Sequence, residues 1–120
     1  MDYRLFVDVD DTLILWGQGA SGEVDGVYLE YPYRVNERLA AGIRWVLGHE
    51  PETQVVVWSG GGGEYTREMV TRAGLTGIMC LDKTEENLIA LVRAVDVVVD
   101  DEPLGGRRTH GPLDWPVLSE

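Results

Sequence analysis

The chain has 120 residues, a formal net charge of −11 and 44% hydrophobic residues. Length and apolar share together suit one folded domain, spanning residues 1–120, and argue against disorder or a second sizeable domain. The negative charge argues against extended binding to nucleic acid or anionic membranes, although one local cationic pocket would still admit a small anion.

Cys80 is the only cysteine, so neither an intrachain disulfide nor a cysteine-built metal site is expected. No apolar run approaches the ~18 residues of a membrane span, and acids follow the short N-terminal apolar run too soon for a leader. A cytoplasmic protein with no membrane partner is the expectation.

The first predicted element is a strand over Leu5 to Val9, within FVDVDDTL. It is followed by Ile14 to Tyr31, where Gly17, Gly19, Gly22 and Gly26 separate the apolar pieces ILW and VYLEY. That pattern predicts a β-hairpin or flap rising from the first strand. Val35, Leu39, Ile43, Val46 and Leu47 then repeat at helical spacing, with a stop near Gly48 before Pro51. A second strand is predicted at Val55 to Trp58. A second helix carries Tyr65, Met69, Val70 and Ala73 on one face and stops at Gly74. Ile78 to Leu81 reads as a third strand. Thr84 is placed to cap a third helix bearing Leu88, Leu91, Val92 and Val95, and Val97 to Val99 reads as a fourth strand. Pro103 to Glu120 reads as an irregular tail anchored by Leu113, Trp115 and Val117.

The four strand segments are continuously apolar, as expected of strands covered on both faces. Their alternation with helices predicts an α/β fold, a parallel sheet sandwiched by helices. In such a sheet the carboxyl ends of the strands line one edge, where ligands bind. Polar residues collect at those ends: Asp8, Asp10 and Thr12 after the first strand, and Ser59 and Gly60 after the second. Asp82 and Lys83 follow the third, and Asp100 and Asp101 the fourth.

Asp8, Asp10 and Asp100 would therefore meet in one crevice. At ~4 Å and an effective dielectric near 20, each pair of like charges costs on the order of 4 kcal/mol. A divalent cation reverses that sign, and an oxygen-only ligand set points to Mg²⁺ rather than zinc. Thr12, Ser59, the Gly60 amide and the Lys83 ammonium are donors to anionic oxygen. A cation with carboxylates on one side and donors on the other describes a phosphoryl site.

The arrangement resembles the haloacid dehalogenase (HAD) superfamily over about residues 5 to 101. DVDDT, Asp8 to Thr12, matches the family's DxDxT; VVVWS ends at Ser59, Lys83 follows the third strand, and VVVDD ends at Asp100 and Asp101. The resemblance implies a three-layer Rossmann-like, HAD-type sheet with helices on both faces. It implies a phosphomonoesterase in which Asp8 is the nucleophile and Asp10 the general acid and base. It further implies that Asp8, the Asp10 backbone carbonyl and Asp100 hold Mg²⁺, with Asp101 supporting through water, and that Ser59 and Lys83 hold phosphoryl oxygens. The gaps after the first and second motifs fit no cap domain, so the resemblance is to a capless member. Capless members act on phosphorylated substrates ranging from small molecules to phosphoproteins and nucleic-acid ends.

Other residues read as ordinary structure. Asp11 occupies the free position of the motif and is expected to be structural or solvent-facing. Arg34 and Arg38, one helical turn apart, suggest a solvated face; His49 and His110 read as surface residues, and Cys80 as packing. Trp16 in the flap is placed either to meet a substrate ring or to pack the flap. Arg107 and Arg108 follow the fourth strand closely, and reaching a second phosphate is the less favoured reading of them. The competing function is a receiver-like signalling domain phosphorylated on aspartate without turnover. A receiver takes phosphate at the end of a middle strand, which here ends in Trp58 and Ser59.

Overall fold

A computed structural model describes residues 3–93 and 95–102 and the backbone of 109–110. Leu113, Trp115, Val117, Arg107 and Arg108, singled out above, lie outside the described residues. In chain order the elements are β1 (Leu5–Asp8), β2 (Ile14–Trp16), β3 (Gly26–Tyr28), β4 (Tyr31–Val35), α1 (Glu37–His49), β5 (Val55–Ser59), α2 (Gly63–Arg72), β6 (Met79–Asp82), α3 (Glu85–Leu91), β7 (Val97–Val99) and β8 (Thr109–His110). The fold is α/β. Its main sheet is parallel, in the order β6-β5-β1-β7-β8, and β2-β4-β3 form a small antiparallel sheet.

The pleat sorts the strand residues between two cores. Leu5, Val7, Val55, Val57, Val97 and Val99 pack with Leu39 and Ile43 of α1 and Met69 and Val70 of α2. On the opposite face Phe6, Val56, Trp58 and Val98 pack with Val92 and with Leu88 and Leu91 of α3. The Phe6 and Trp58 rings lie 4.9 Å apart. Helices thus cover both faces. Right-handed crossovers explain the division, because a chain that reverses its direction along a parallel sheet must switch faces.

That reversal sets the switch point of the sheet. The chain runs outward from β1 to β5 and β6, then returns to β7 on the other side of β1. Counted among parallel strands the order is 3-2-1-4-5, and the switch point lies between β1 and β7. Asp96 fixes the start of that pair. Fully buried, it accepts the Arg4 and Arg93 amides, both at 2.9 Å, and pairs with the Arg4 guanidinium at 3.1 Å.

Several expected boundaries move. The segment read as a hairpin is a three-stranded sheet, because Tyr31–Val35 pairs with both β2 and β3. Its β3–β4 turn is Leu29–Glu30, with φ of 48° and 73°. Those left-handed positions usually call for Gly or Asn, so the turn carried no sequence signal. Val35 belongs to β4 rather than α1; its inward position satisfies both periodicities. Arg34 is consequently a half-buried strand residue, not a helical neighbour of Arg38. Helix α3 ends at Leu91, so Val92 is buried beyond it while Val95 is exposed. Strand β6 is the sheet edge rather than a strand covered on both faces, and it leaves Met79 exposed and Cys80 half-buried. Thr109–His110, inside the segment read as an irregular tail, adds a strand beside β7. Among the described residues no helix is long and apolar enough to cross a membrane.

Asn36 ties the small sheet and the first motif to α1. Buried, it caps the helix by accepting the Leu39 amide at 3.2 Å, and its Nδ2 donates to the Thr12 carbonyl at 3.0 Å. Asn36→Ala removes the cap and leaves a buried carbonyl short of a partner. Urea denaturation should show a loss of roughly 2 kcal/mol, the sum of about 1 for each effect. A loss below about 0.5 kcal/mol would contradict this role.

Candidate active site

The loop after β1 is tightly closed on itself. The Leu13 amide donates to the Asp8 carbonyl at 3.3 Å, the Ile14 amide to Val9 at 2.9 Å, and the Asp11 amide to Ile14 at 2.8 Å. Asp11 turns the corner with φ of 59° and is exposed, and aspartate is among the few non-glycine residues that tolerate this region. The expected structural, solvent-facing place of Asp11 is what is found. The turn leaves the Asp8 side chain buried at the carboxyl end of β1.

Strands β6 and β7 bring the partners. The Lys83 amide donates to the Ser59 carbonyl at 2.9 Å, which seats Lys83 at the end of β6 beside β5. Its ammonium lies 2.6 Å from Asp100 Oδ2 and 3.5 Å from Asp8 Oδ1. Asp100 follows β7 and is buried, and its Oδ1 accepts the Glu102 amide at 3.0 Å. Carboxyl oxygens of Asp8, Asp100 and exposed Asp101 all lie within 4.8 Å of one another. Residues more than ninety positions apart therefore share one point at the switch of the sheet.

The electrostatics follow from that crowding. Burial pushes the Asp8 carboxyl up to about 7; the Asp100 charge adds to the shift and Lys83 opposes it. Burial also raises Asp100, against the hydrogen bond from Lys83. Burial disfavours the Lys83 charge, but its hydrogen bond to Asp100 and the nearby Asp8 more than offset this, so its pKa is raised and it stays an ammonium. Three carboxylates face one lysine, and the deficit is cationic. An all-oxygen cluster of this size, holding no Cys or His, fits a hard divalent cation such as Mg²⁺.

Asp10 goes elsewhere. Its carboxylate is not part of the three-acid cluster. Oδ1 accepts the Trp16 indole N–H at 3.0 Å and the Tyr65 hydroxyl at 2.6 Å, and Oδ2 accepts the Ser59 hydroxyl at 3.3 Å. Burial and the Asp10 hydrogen bond raise the pKa of Tyr65, keeping it a donor. Tyr65 was visible in the sequence only as part of a helical stripe; its spacing from Ser59 carries no motif. Trp16 meets Asp10 and also packs edge-on against Tyr33, with centroids 6.0 Å apart.

The expected phosphate-binding residues are placed unevenly. Thr12 is fully buried and donates to Asp8 Oδ2 at 3.4 Å, so it braces that carboxylate. Ser59 is also fully buried; its oxygen accepts the Gly61 amide at 3.0 Å while its proton goes to Asp10. Gly60 is exposed at the turn, and a Cβ there would meet nothing within 4 Å. Lys83, Gly60 and Asp101 face an open edge, whereas a cavity of about 430 Å³ lined by Pro51, Thr53, Gln54 and Gly77 lies at the start of β5, at the opposite end of the sheet. His49 is exposed and stacks on Trp45 at 4.6 Å, outside the site. The His110 side chain lies outside the described residues.

No protein-family model matches the chain, and neither a curated protein nor a solved structure matches it. The class that the structure itself defines is an α/β domain with an acidic cluster at the switch point of its parallel sheet.

The raised Asp8 carboxyl has a measurable consequence. An acid that binds its proton more tightly in the fold than in the unfolded chain stabilises the fold at low pH. That contribution is lost as pH rises from 3.8, its ordinary value, through about 7. The metal-free protein should therefore melt at a lower temperature at pH 8 than at pH 5, and Mg²⁺ should restore stability at pH 8. Asp8→Asn should raise the metal-free melting temperature at pH 8, flatten the pH dependence and remove the Mg²⁺ response. A variant melting below the wild type at pH 8, with its Mg²⁺ response intact, would contradict the assignment.

Proposed function

We propose that this protein is a Mg²⁺-dependent, HAD-type phosphatase that hydrolyses a phosphomonoester through an aspartyl phosphate on Asp8. The observation that carries this reading is the convergence of Asp8, Asp100 and Asp101 oxygens within 4.8 Å, with the Lys83 ammonium between Asp8 and Asp100. Such an arrangement gains little as a scaffold, since at an effective dielectric near 20 an ionised pair at this separation costs roughly 3 kcal/mol. It becomes favourable when a cation and a phosphoryl group are bound.

Asp8, Asp100 and, through water, Asp101 would hold Mg²⁺, which when bound supplies positive charge to the carboxylates and to the phosphoryl oxygens. Thr12 fixes the Asp8 carboxylate by its hydrogen bond to Oδ2. Asp8 attacks phosphorus; the bond from phosphorus to the ester oxygen breaks, and Asp10 gives its proton to that oxygen, releasing the alcohol. Asp10, now a carboxylate, takes a proton from water as the water attacks phosphorus. The bond to Asp8 breaks and inorganic phosphate leaves. Lys83 neutralises phosphoryl charge at the edge, and the Gly60 amide at the exposed turn offers a backbone donor beside it.

Between β1 and α1 lies only the small sheet, and between β5 and β6 only α2. That economy supports the capless reading and an open site able to receive small phosphate esters or the phosphorylated ends of larger molecules. The strand order also favours a phosphatase over the receiver-like alternative, since the flavodoxin-like order 2-1-3-4-5 typical of receivers differs from the 3-2-1-4-5 found here.

p-Nitrophenyl phosphate in Mg²⁺ should be turned over many times per molecule, and a chelator should stop the reaction. Asp8→Asn should lower kcat by at least about 10³-fold. One stoichiometric phosphorylation without further turnover would instead support the signalling reading, and full activity in Asp8→Asn would refute the nucleophile.

A further inference from the structure

Asp10 is the most heavily engaged carboxylate near the site, and two of its three donors come from residues outside the four motifs. Tyr65 reaches it from the first turn of α2, and Trp16 reaches it from β2. Both aromatic side chains are themselves held. The Tyr65 ring lies so close to the glycine turn that a Cβ on Gly61 would come within 2.7 Å of its Cδ2. Its other neighbour is Tyr28 of β3, at 5.7 Å between centroids. Trp16 packs against Tyr33 of β4. Arg72 of α2 closes the arrangement, lying over the Tyr28 ring at 5.2 Å and donating to the Val27 carbonyl at 3.1 Å.

We propose that Tyr65 and Trp16 are positioning residues that grip Oδ1 of Asp10 and leave Oδ2 as the oxygen that carries the catalytic proton. The inference rests on the phosphatase reading of the site. A carboxylate oxygen has two lone pairs in its plane, and both on Oδ1 are taken by donors. Oδ2 has one donor, Ser59, and retains a free site. The proton therefore travels from Oδ2 to the ester oxygen as the bond to phosphorus breaks, and returns to Oδ2 from the attacking water. The glycines after Ser59 acquire a purpose in this account. Gly61 gives Tyr65 the room to approach, a role that the sequence suggests only as a tight turn. The small sheet acquires one too, since it delivers Trp16 to the acid.

The test compares two esters that differ in how much they need the proton. An alkyl phosphate has a poor leaving group, whereas p-nitrophenolate leaves without protonation. Tyr65→Phe should lower kcat/KM on the alkyl ester roughly ten- to hundredfold, the worth of one hydrogen bond to a charged group, and on p-nitrophenyl phosphate at least tenfold less. Gly61→Ala keeps the hydroxyl but displaces the ring, and should show the same leaving-group bias. The Trp16 indole N–H resonance reads the grip without turnover: it should move in Asp10→Ala and in Tyr65→Phe. Equal losses on both esters, no loss, or an indole resonance indifferent to Asp10 would overturn the proposal. A wild type inactive on both esters, with a responsive indole resonance, would instead refute the phosphatase reading and with it the catalytic meaning of the grip.

Discussion

The repulsion between Asp8 and Asp100 is the constraint on which the rest of the structure turns. Two buried carboxylates from opposite ends of the chain are forced together where the sheet order reverses, and only one ammonium stands between them. The main sheet has to be well anchored to hold them. Its inner strands are buried along their whole length, and two separate apolar cores clamp them from both faces. Burial of a single Leu- or Phe-sized side chain contributes roughly 1.5–3 kcal/mol. The many such residues around β1 readily offset a clash of a few kcal/mol. Asp96 completes the anchoring at the other end of the same strand pair, where its buried carboxylate pairs with the Arg4 and Arg93 guanidiniums.

The two aspartates of the first motif are thereby given different surroundings two residues apart. Asp8 faces other acids and a lysine, so its charge is disfavoured until positive charge arrives. Asp10 faces three neutral donors and none of the acids of the cluster. In the proposed phosphatase, separating the environments of paired carboxylates in this way would assign a nucleophile and a proton carrier from the same residue type. The left-handed corner at Asp11 then turns the chain between Asp10 and Thr12, and Thr12 comes back to donate to Asp8.

How far the structure could be read from the sequence depended on how local each signal was. Continuous apolar runs marked β1, β5 and β7, and glycine and threonine marked the end of α2 and the start of α3. The acids at strand ends were legible because a parallel sheet gathers them whatever the details of packing. Less legible was anything decided by tertiary pairing. Val35 suits both a helix stripe and an inward strand position, and its pairing with Ile14 decides between them. The Leu29–Glu30 turn uses residues that rarely adopt it. Cys80 lies on an apolar run that becomes an edge, because no strand pairs beyond β6 among the described residues. Tyr65 looked like one more core residue, since nothing in its spacing reveals that its hydroxyl meets an acid fifty-five positions earlier.

The central claim is that one cation is shared by residues from the two strands flanking the switch point. Crystals soaked in Mn²⁺, a hard cation with a usable anomalous signal, test it most directly. The account predicts an anomalous peak within coordination distance of both Asp8 and Asp100, with the Lys83 ammonium displaced from Asp100 or shared with a bound anion. A cluster that stays bridged by Lys83 with no peak, or a peak that touches Asp101 alone, would contradict it.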